Sequence, residues 1–210
     1  PEMLDTIAQV RAACDAAQDP VTETKSLRVV MVRHGESTGN TLGNYFAPKA
    51  HKELLKALWP NEWHFPLTGA GVQQAKGVRS AIMELLLSDQ KYLADNVVVY
   101  SSNMVRARQT MVEACNGWAL EPCMKYDGQI GELIREKLSG PAIFTTREEL
   151  QQQYPDRELT WERNPYTFEG DGESIQSCES RVQETMRVLV RKYCHEFSGV
   201  DTVILFTHGG

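Results

Sequence analysis

The chain has no excess of basic residues. It contains 22 Lys and Arg against 28 Asp and Glu among its 210 residues, a formal net charge of −6, and its pI is about 5.4. Proteins that bind nucleic acid or an anionic membrane electrostatically usually present a broad basic surface. The composition therefore predicts no nucleic acid partner and confines any anion site to a local cluster of residues.

Long hydrophobic runs are also missing. The apolar stretches are short, such as residues 29–32 and 203–206, whereas a membrane-spanning helix needs about 20 apolar residues. The chain opens with Pro1, Glu2 and Asp5, which is not the basic and then apolar pattern of a signal peptide. The sequence thus predicts a protein without a membrane partner.

The cysteines lack the number and spacing of a structural framework. There are five, and none form a C-x-x-C pair, so neither paired disulfides nor a zinc site is indicated: Cys14, Cys115, Cys123, Cys178 and Cys194. Unpaired thiols favour a reducing compartment, and we expect a cytoplasmic protein. Walker loops, H-E-x-x-H, EF-hand and dinucleotide glycine motifs are absent from the sequence, so we expect neither a metal nor another cofactor.

What the sequence does contain is an alternation of strand and helix patterns. Strands are predicted over residues 27–32, 96–100 and 201–207. Helices are predicted over residues 51–58, from Thr68 to Leu85, around Arg106 and Arg108, and over residues 175–197. The helix of Arg106 has three candidate N-caps, Ser101, Ser102 and Asn103. Such alternation is typical of an α/β fold with a mostly parallel sheet.

The two ends of the chain predict additions to this fold. Apolar residues recur at helical spacing over residues 3–17 and stop at Asp19-Pro20, so a helical extension is expected over residues 1–26, before a domain over residues 27–210. A further helix usually covers the last strand of an α/β domain. Because the chain ends at Gly210, directly after its last predicted strand, we expect a domain truncated at its C-terminus.

Polar groups follow three predicted strands at the point where each strand ends. His34-Gly35 and His208-Gly209 follow two of them, and the helix of Arg106 follows the third. Ligands bind beyond the carboxyl ends of parallel strands. The pattern therefore predicts that His34, Arg106 and His208 share one crevice.

Five segments, spread in order along the chain, resemble the histidine phosphatase superfamily, which includes the cofactor-dependent phosphoglycerate mutases. The segments are Arg33-His34-Gly35-Glu36-Ser37 with Asn40, Leu67-Thr68 with Gly71 and Gln74-Ala75, Ser101-Ser102 with Arg106-Ala107 and Gln109-Thr110, Gly172-Glu173-Ser174 with Arg181, and Thr207-His208-Gly209. The resemblance implies a phosphoglycerate mutase-like fold, a three-layer sandwich around a mostly parallel sheet.

The resemblance also implies that His34 is the nucleophile of a phosphoryl transfer. Neutral imidazole can attack phosphorus with one ring nitrogen while a backbone carbonyl holds the other N–H. Positive charge and hydrogen-bond donors must then stabilise the transferred group. The groups expected to bind the substrate phosphate are Arg33, Arg106, His208, Gly209, Ser37 and Asn40, although Ser37 and Asn40 are equally suited to capping a helix.

A leaving alkoxide also needs an acid, and two carboxyl groups are available between Gly131 and Gly140. They are Glu132 and Glu136. The family pattern of a leucine-like residue, any residue and then glutamate fits Ile134-Arg135-Glu136 better, so Glu136 is the predicted acid, with a raised pKa. Glu132 remains the alternative.

Two acceptors for the phosphoryl group fit the same residues. If water accepts the phosphoryl group, the protein is a phosphatase that acts on a small phosphorylated substrate. If a second substrate hydroxyl accepts it, the protein is a mutase, which is an isomerase. Gly39 stands where mutases carry a tryptophan, and the stretch from Asn40 to Leu67 is longer than theirs, so hydrolysis is favoured. A catalytically silent module that binds a phosphorylated ligand or a partner protein is the third alternative.

Overall fold

A computed structural model describes residues 9–13, 26–43, 47–87, 94–156, 172–195 and 199–209, and the structural statements below concern these residues. They form one five-stranded sheet with the strand order β1-β2-β5-β3-β4. The strands are β1 (Gln9–Ala13), β2 (Ser26–Arg33), β3 (Val97–Ser101), β4 (Met124–Lys125) and β5 (Thr202–Thr207).

Four strands of the sheet are parallel. β5 pairs with β2 on one side and β3 on the other, and β3 pairs with β4. β1 is antiparallel to β2. The parallel pairing brings the ends of β2, β3 and β5 to the same edge, with Arg33 opposite Thr207 and Ser101 opposite Phe206.

Helices flank the sheet and lead into its carboxyl edge. They are α1 (Thr38–Leu42), α2 (Lys49–Leu58), α3 (Gly69–Leu87), α4 (Val105–Cys115), α5 (Gly128–Leu133), α6 (Arg147–Gln153) and α7 (Ile175–Val190). Short 3-10 helices include Glu62–His64 and Gly140–Phe144. The helix predicted over residues 51–58 is present as α2, and the first of these 3-10 helices follows it.

Two hydrophobic clusters lie on opposite faces of the sheet, because successive strand residues point to opposite faces. On one face Val30 and Ile204 pack with Ile82 of α3 and Met111 of α4. On the other face Val29, Val203 and Leu205 pack with Ile130 of α5 and Leu189 of α7. The arrangement is the predicted three-layer α/β sandwich.

The helix predicted over residues 3–17 is wrong for residues 9–13, which form β1. Local apolar spacing favours a helix. Without β1, however, the edge of β2 would be unpaired, and the pairing of β1 with β2 satisfies backbone groups of both strands. The rest of this prediction lies outside the described residues, as does Gly210.

Two helix ends also differ from the prediction. α4 begins after Met104, which has no side-chain capping bond, so the predicted caps at Ser101, Ser102 and Asn103 are wrong. α7 ends at Val190 and continues as a π-helix over Arg191–His195. Within the described ranges, no helix combines the length and the apolar character needed to cross a bilayer.

Candidate active site

The sheet brings the two predicted histidines together at its carboxyl edge. The backbone N–H of His34 donates to the carbonyl of Thr207 over 3.0 Å, which continues the parallel ladder past the end of β2. The ring centroids of His34 and His208 are 4.9 Å apart. Register therefore places both rings in one crevice, as their position after parallel strands predicted.

The ring of His34 is held in one orientation. Its Nδ1 lies 2.6 Å from the carbonyl oxygen of Gly35, and because a carbonyl can only accept, Nδ1 carries the proton. Nε2 is then the unprotonated nitrogen, and it accepts the Nε–H of Arg106 over 3.2 Å. Burial, followed by the charges of His208 and Arg106, lowers the pKa of His34 to about 3. The imidazole is therefore neutral near pH 7.

Gly35 has a packing role in the turn that holds His34. A Cβ atom on Gly35 would lie 2.4 Å from the carbonyl oxygen of Gly71, so only glycine fits between the turn and the start of α3. The N–H of Gly35 donates to Oγ1 of Thr110 on α4 over 3.1 Å. The turn is thus fixed against two helices.

Arg106 is buried and binds three groups of the crevice. Its Nε–H donates to His34, an Nη1 proton donates to the carbonyl of Glu62 over 2.8 Å, and an Nη2 proton donates to Oε2 of Glu136 over 2.5 Å. The first turn of α4 carries this side chain, so the positive end of the helix dipole faces the same crevice. Arg108, two residues on, is exposed and donates to Asn103.

Glu136 lies beside the two histidines, with its side chain 30% exposed. Burial raises the pKa of its carboxyl, but the interactions with His208, Arg106 and His34 outweigh that effect, and the pKa is lowered overall. In the ligand-free site His208 and Arg106 thus stabilise the carboxylate, whereas the raised pKa was expected for a carboxyl beside a bound phosphate and stays a prediction. Glu132, the alternative acid, is instead bonded to Arg135 over 2.6 Å.

His208 is buried between a hydroxyl and a carboxylate. Its Nε2 lies 3.0 Å from Oγ of Ser102, and its Nδ1 lies 3.4 Å from Oε2 of Glu136. Burial lowers the pKa of the ring, although Glu136 opposes that change. Nδ1 is buried and has no well-formed hydrogen bond within the described part of the chain, so it can receive a ligand.

Arg33 and Gly209 lie next to each other at the ends of β2 and β5. A Cβ atom on Gly209 would lie 2.9 Å from Cδ of Arg33, so the glycine leaves the space that the arginine side chain fills. Arg33 is exposed. Its guanidinium is therefore accessible to an anion at the carboxyl edge of the sheet.

Ser37 and Asn40 form a capping box at the start of α1. Oγ of Ser37 accepts the backbone N–H of Asn40, and the side chain of Asn40 accepts the backbone N–H of Ser37 over 2.9 Å. Both side chains are thus used by the helix cap. Their predicted contact with substrate stays a prediction.

Glu62 is a buried residue of the crevice that the sequence did not single out. Its carbonyl accepts from Arg106, and its Oε1 accepts the backbone N–H groups of Ser139 and Gly140 over 2.7 and 3.1 Å. Burial raises its pKa to about 7, although the two N–H bonds oppose that change. It lies in a segment without periodicity, which gave no signal for it. Ser102, which the sequence placed in a family-like segment and offered as a helix cap but not as a site residue, contacts His208.

The crevice also contains a potential metal-ligand set. Ligand atoms of His34, His208 and Glu136 lie within 4.8 Å of one another, and two histidines with a carboxylate can hold zinc or iron. Here Arg106 donates to both Nε2 of His34 and the carboxylate of Glu136. A positive charge already stands where a cation would bind, so the crevice suits an anion.

The chain was compared with known proteins. A family profile described as the histidine phosphatase superfamily (branch 1) matches residues 29–210, whereas no curated protein matches significantly. Among solved structures, a mycobacterial hydrolase is similar at 19% identity, covering 86% of this chain and 74% of that one, with a TM-score of 0.59. A mycobacterial glucosyl-3-phosphoglycerate phosphatase in complex with VO3 is 20% identical, with coverages of 86% and 75% and a TM-score of 0.57.

These structural similarities show a shared fold, and the profile spans the strands and helices that build the crevice. The five sequence segments that resemble the family all fall within or next to this region. This chain belongs to the histidine phosphatase superfamily.

Proposed function

We propose that this protein hydrolyses a small phosphomonoester through a phosphohistidine formed on Nε2 of His34. The observation that carries the proposal is the orientation of the His34 ring. Nδ1 donates to a backbone carbonyl, so the lone pair of Nε2 points at Arg106 in the crevice. A neutral imidazole with one fixed lone pair beside a buried guanidinium is suited to attack on a bound phosphate.

In the first step, the substrate phosphate binds among Arg33, Arg106 and His208. Nε2 of His34 attacks phosphorus in line, the N–P bond forms, and the P–O bond to the leaving group breaks. The electron pair of that bond stays on the leaving oxygen, which takes a proton from Glu136. The positive charges of the two arginines stabilise the equatorial oxygens while the charge redistributes.

The proton on Glu136 arrives with the substrate. In the ligand-free crevice His208 and Arg106 hold the carboxyl ionised. A bound phosphate draws the donors of Arg106 to itself and adds negative charge, and both effects raise the pKa of Glu136. Because the second pKa of a phosphomonoester is near 6, the substrate monoanion supplies the proton that the carboxylate then holds.

In the second step, Glu136 accepts a proton from water as the water oxygen attacks phosphorus. The P–N bond breaks, its electron pair returns to Nε2, and inorganic phosphate leaves. Glu136 thus acts as the acid in one step and as the base in the other.

Hydrolysis is favoured over isomerisation by the packing of Gly39. A Cβ atom on Gly39 would lie 2.5 Å from Cδ2 of Phe65, so an aromatic ring already fills the space beside the position where the resembling mutases carry a tryptophan. The phosphatase among the similar structures has VO3 bound. Both points support a hydrolase that takes a phosphate group.

The test is a panel of phosphorylated metabolites assayed for phosphate release and for isomerisation, with the wild type and His34→Ala. We expect phosphate release, and an adduct on His34 that is stable to base and labile to acid. His34→Ala should lose both, whereas His51→Ala, at an exposed position of α2, should keep them. Isomerisation without phosphate release would make the protein a mutase. A folded protein with neither reaction nor adduct would make it a binding module.

A further inference from the structure

We infer that Glu173 is a positioning residue that sets the place of the Glu136 carboxyl through Arg135 and Arg181. This inference rests on the proposed function, because it assigns Glu173 to the proton transfer of that reaction. Glu173 itself contacts neither histidine in the described bonds. It acts through the main chain of residues 133–136, which presents Glu136 to the crevice.

The first step of the argument is a buried ion cluster. Oε2 of Glu173 accepts from Nη1 of Arg135 over 2.6 Å and from Nη2 of Arg181 over 2.8 Å. The three side chains are 7%, 11% and 10% exposed, respectively. Burial raises the pKa of Glu173, but the bonds from the two arginines outweigh it and lower the pKa to about 2. Glu173 is thus one anion shared by two buried cations.

The two arginines also donate to the main chain of the segment that carries Glu136, while the Nε–H of Arg135 donates to the side chain of Glu132. Nη1 of Arg181 donates to the carbonyls of Leu133 and Arg135 over 2.7 and 2.9 Å. Nη1 of Arg135 donates to the carbonyl of Glu136 over 3.0 Å. α5 ends at Leu133, so these carbonyls follow the helix end, where no helical N–H reaches them. Arginine side chains take the place of the missing backbone donors.

The carboxylate of Glu173 is what keeps both arginines in this geometry. Without its charge, Arg181 would have no carboxylate partner among the described residues, and Arg135 would keep only the half-exposed Glu132. The two buried guanidinium groups would then no longer be held against one shared anion. The backbone N–H of Glu173 separately donates to the carbonyl of Leu138 over 2.8 Å. A substitution of the side chain leaves that bond in place, so Glu173→Gln isolates the contribution of the charge.

Loss of this support should affect the proton transfer more than the attack on phosphorus. A displacement of about 1 Å can cost on the order of 100-fold when a group must meet a reacting atom. Glu136 must reach the leaving oxygen, whereas His34 is fixed separately by Gly35 and by the sheet. The expected defect is therefore selective for substrates whose leaving group needs a proton.

The experiment compares an alkyl phosphate with an aryl phosphate in the wild type, Glu173→Gln and Glu136→Gln. We expect Glu173→Gln to lower kcat/KM on the alkyl ester about 10- to 100-fold and to change kcat/KM on the aryl ester much less. The ratio kcat/KM reports the steps up to phosphoryl transfer to His34 and excludes the later dephosphorylation, in which Glu136 is the base. Arg181→Lys keeps the charge but loses the forked donors, so it should show the same selective loss. Arg181→Lys also tests the positioning role if Glu173→Gln does not fold.

A matched control lies on α7, the helix that carries Arg181. Glu184 of α7 pairs with Arg187 over 3.2 Å at the surface, and Glu184→Gln should leave the alkyl-to-aryl ratio of kcat/KM unchanged. In the double variant with Glu136→Gln, Glu173→Gln should add little further loss, because both act on one step.

The outcomes separate this inference from the proposed function. An active wild type with an unchanged alkyl-to-aryl ratio in folded Glu173→Gln or Arg181→Lys, even with a lowered Tm, would overturn the positioning role alone. Losses of activity on the alkyl ester that add up in the Glu136→Gln, Glu173→Gln double variant would also overturn the positioning role. A wild type that hydrolyses neither ester overturns the proposed function, and the positioning role with it.

Discussion

Nε–H of Arg106 donates to Nε2 of His34 over 3.2 Å, so the basic nitrogen of the imidazole is hydrogen-bonded in the ligand-free protein. The same guanidinium holds Glu136. A bound phosphate offers Arg106 stronger, charged acceptors. Its binding would release both side chains in one event, which links occupancy of the crevice to the availability of the proposed nucleophile and acid.

Substitution of Arg106 should weaken the reaction regardless of the leaving group. Arg106→Ala removes the buried cation expected to stabilise the transferring phosphoryl group, so kcat/KM should fall about 10²–10³-fold on alkyl and aryl phosphates alike. Arg108→Ala is the matched control, since Arg108 is exposed and two residues away. Steady-state kinetics with both esters would measure this. Full activity in Arg106→Ala would contradict the assignment.

Substitution of Glu136 should depend on the leaving group. Glu136→Gln should slow hydrolysis of alkyl phosphates about 10²–10⁴-fold, because the alkoxide needs a proton. With aryl phosphates, whose leaving group departs unprotonated, the rate of the first step, phosphoryl transfer to His34, should fall much less. Rapid-quench measurement of that step resolves the two cases.

Glu132→Gln is the companion variant, since Glu132 was the alternative acid and is bonded to Arg135. We expect little selectivity from it, because Arg135 keeps its ion pair with the more buried Glu173. A selective loss at Glu132 that matches or exceeds the loss at Glu136, or equal losses on both esters at Glu136, would remove Glu136 from the proton transfer.

The charge of His34 should be insensitive to pH across the physiological range. Its pKa is lowered to about 3 in the folded protein, first by burial, against about 6.5 for an unfolded chain. Between these values the unfolded chain binds more protons, so His34 contributes stability that is present above pH 6.5 and is lost as the pH falls towards 3.

NMR of ¹⁵N-labelled histidine should therefore show the His34 ring unprotonated at Nε2 from pH 8 down to pH 5, with His34→Ala used for assignment. Titration of that resonance near pH 6.5 would refute the prediction. Thermal unfolding offers a second readout, because the Tm of the wild type relative to His34→Ala should fall as the pH is lowered from 7.5 to 5.

Activity should survive removal of divalent metal ions. Arg106 places a positive charge among the three potential ligand groups, and the proposed mechanism assigns to arginine and histidine the charge stabilisation that a metal would supply. Phosphate release after exhaustive chelation should equal that of untreated protein. Loss on chelation with recovery on adding a divalent ion would refute this.

The parts of the site that follow regular elements could be predicted from the sequence. His34 and His208 come directly after apolar strands, and parallel pairing leaves little freedom in where the next residues lie. Arg106 lies in the first turn of α4, the helix that follows β3. For these residues, local pattern and topology give the same answer.

The remaining features depend on contacts that are distant in sequence. Glu62 bonds the backbone of Ser139, 77 residues away, and no periodicity accompanies such a contact. β1 was predicted as helix because spacing reports local preference, whereas the strand forms on the edge of β2. The lowered pKa of Glu136 follows from the placement of His208 and Arg106 beside it and could not be read from composition.

The bonds of Glu62 have a consequence for how the surroundings of Arg106 can change. Glu62 joins the 3-10 helix Glu62–His64 to Arg106 by its carbonyl and to the backbone at Ser139 by its carboxylate. A shift of either segment would therefore be transmitted to the arginine. Under the proposed function, a substitution that reshapes either segment to accept a different phosphate ester would also change the rate.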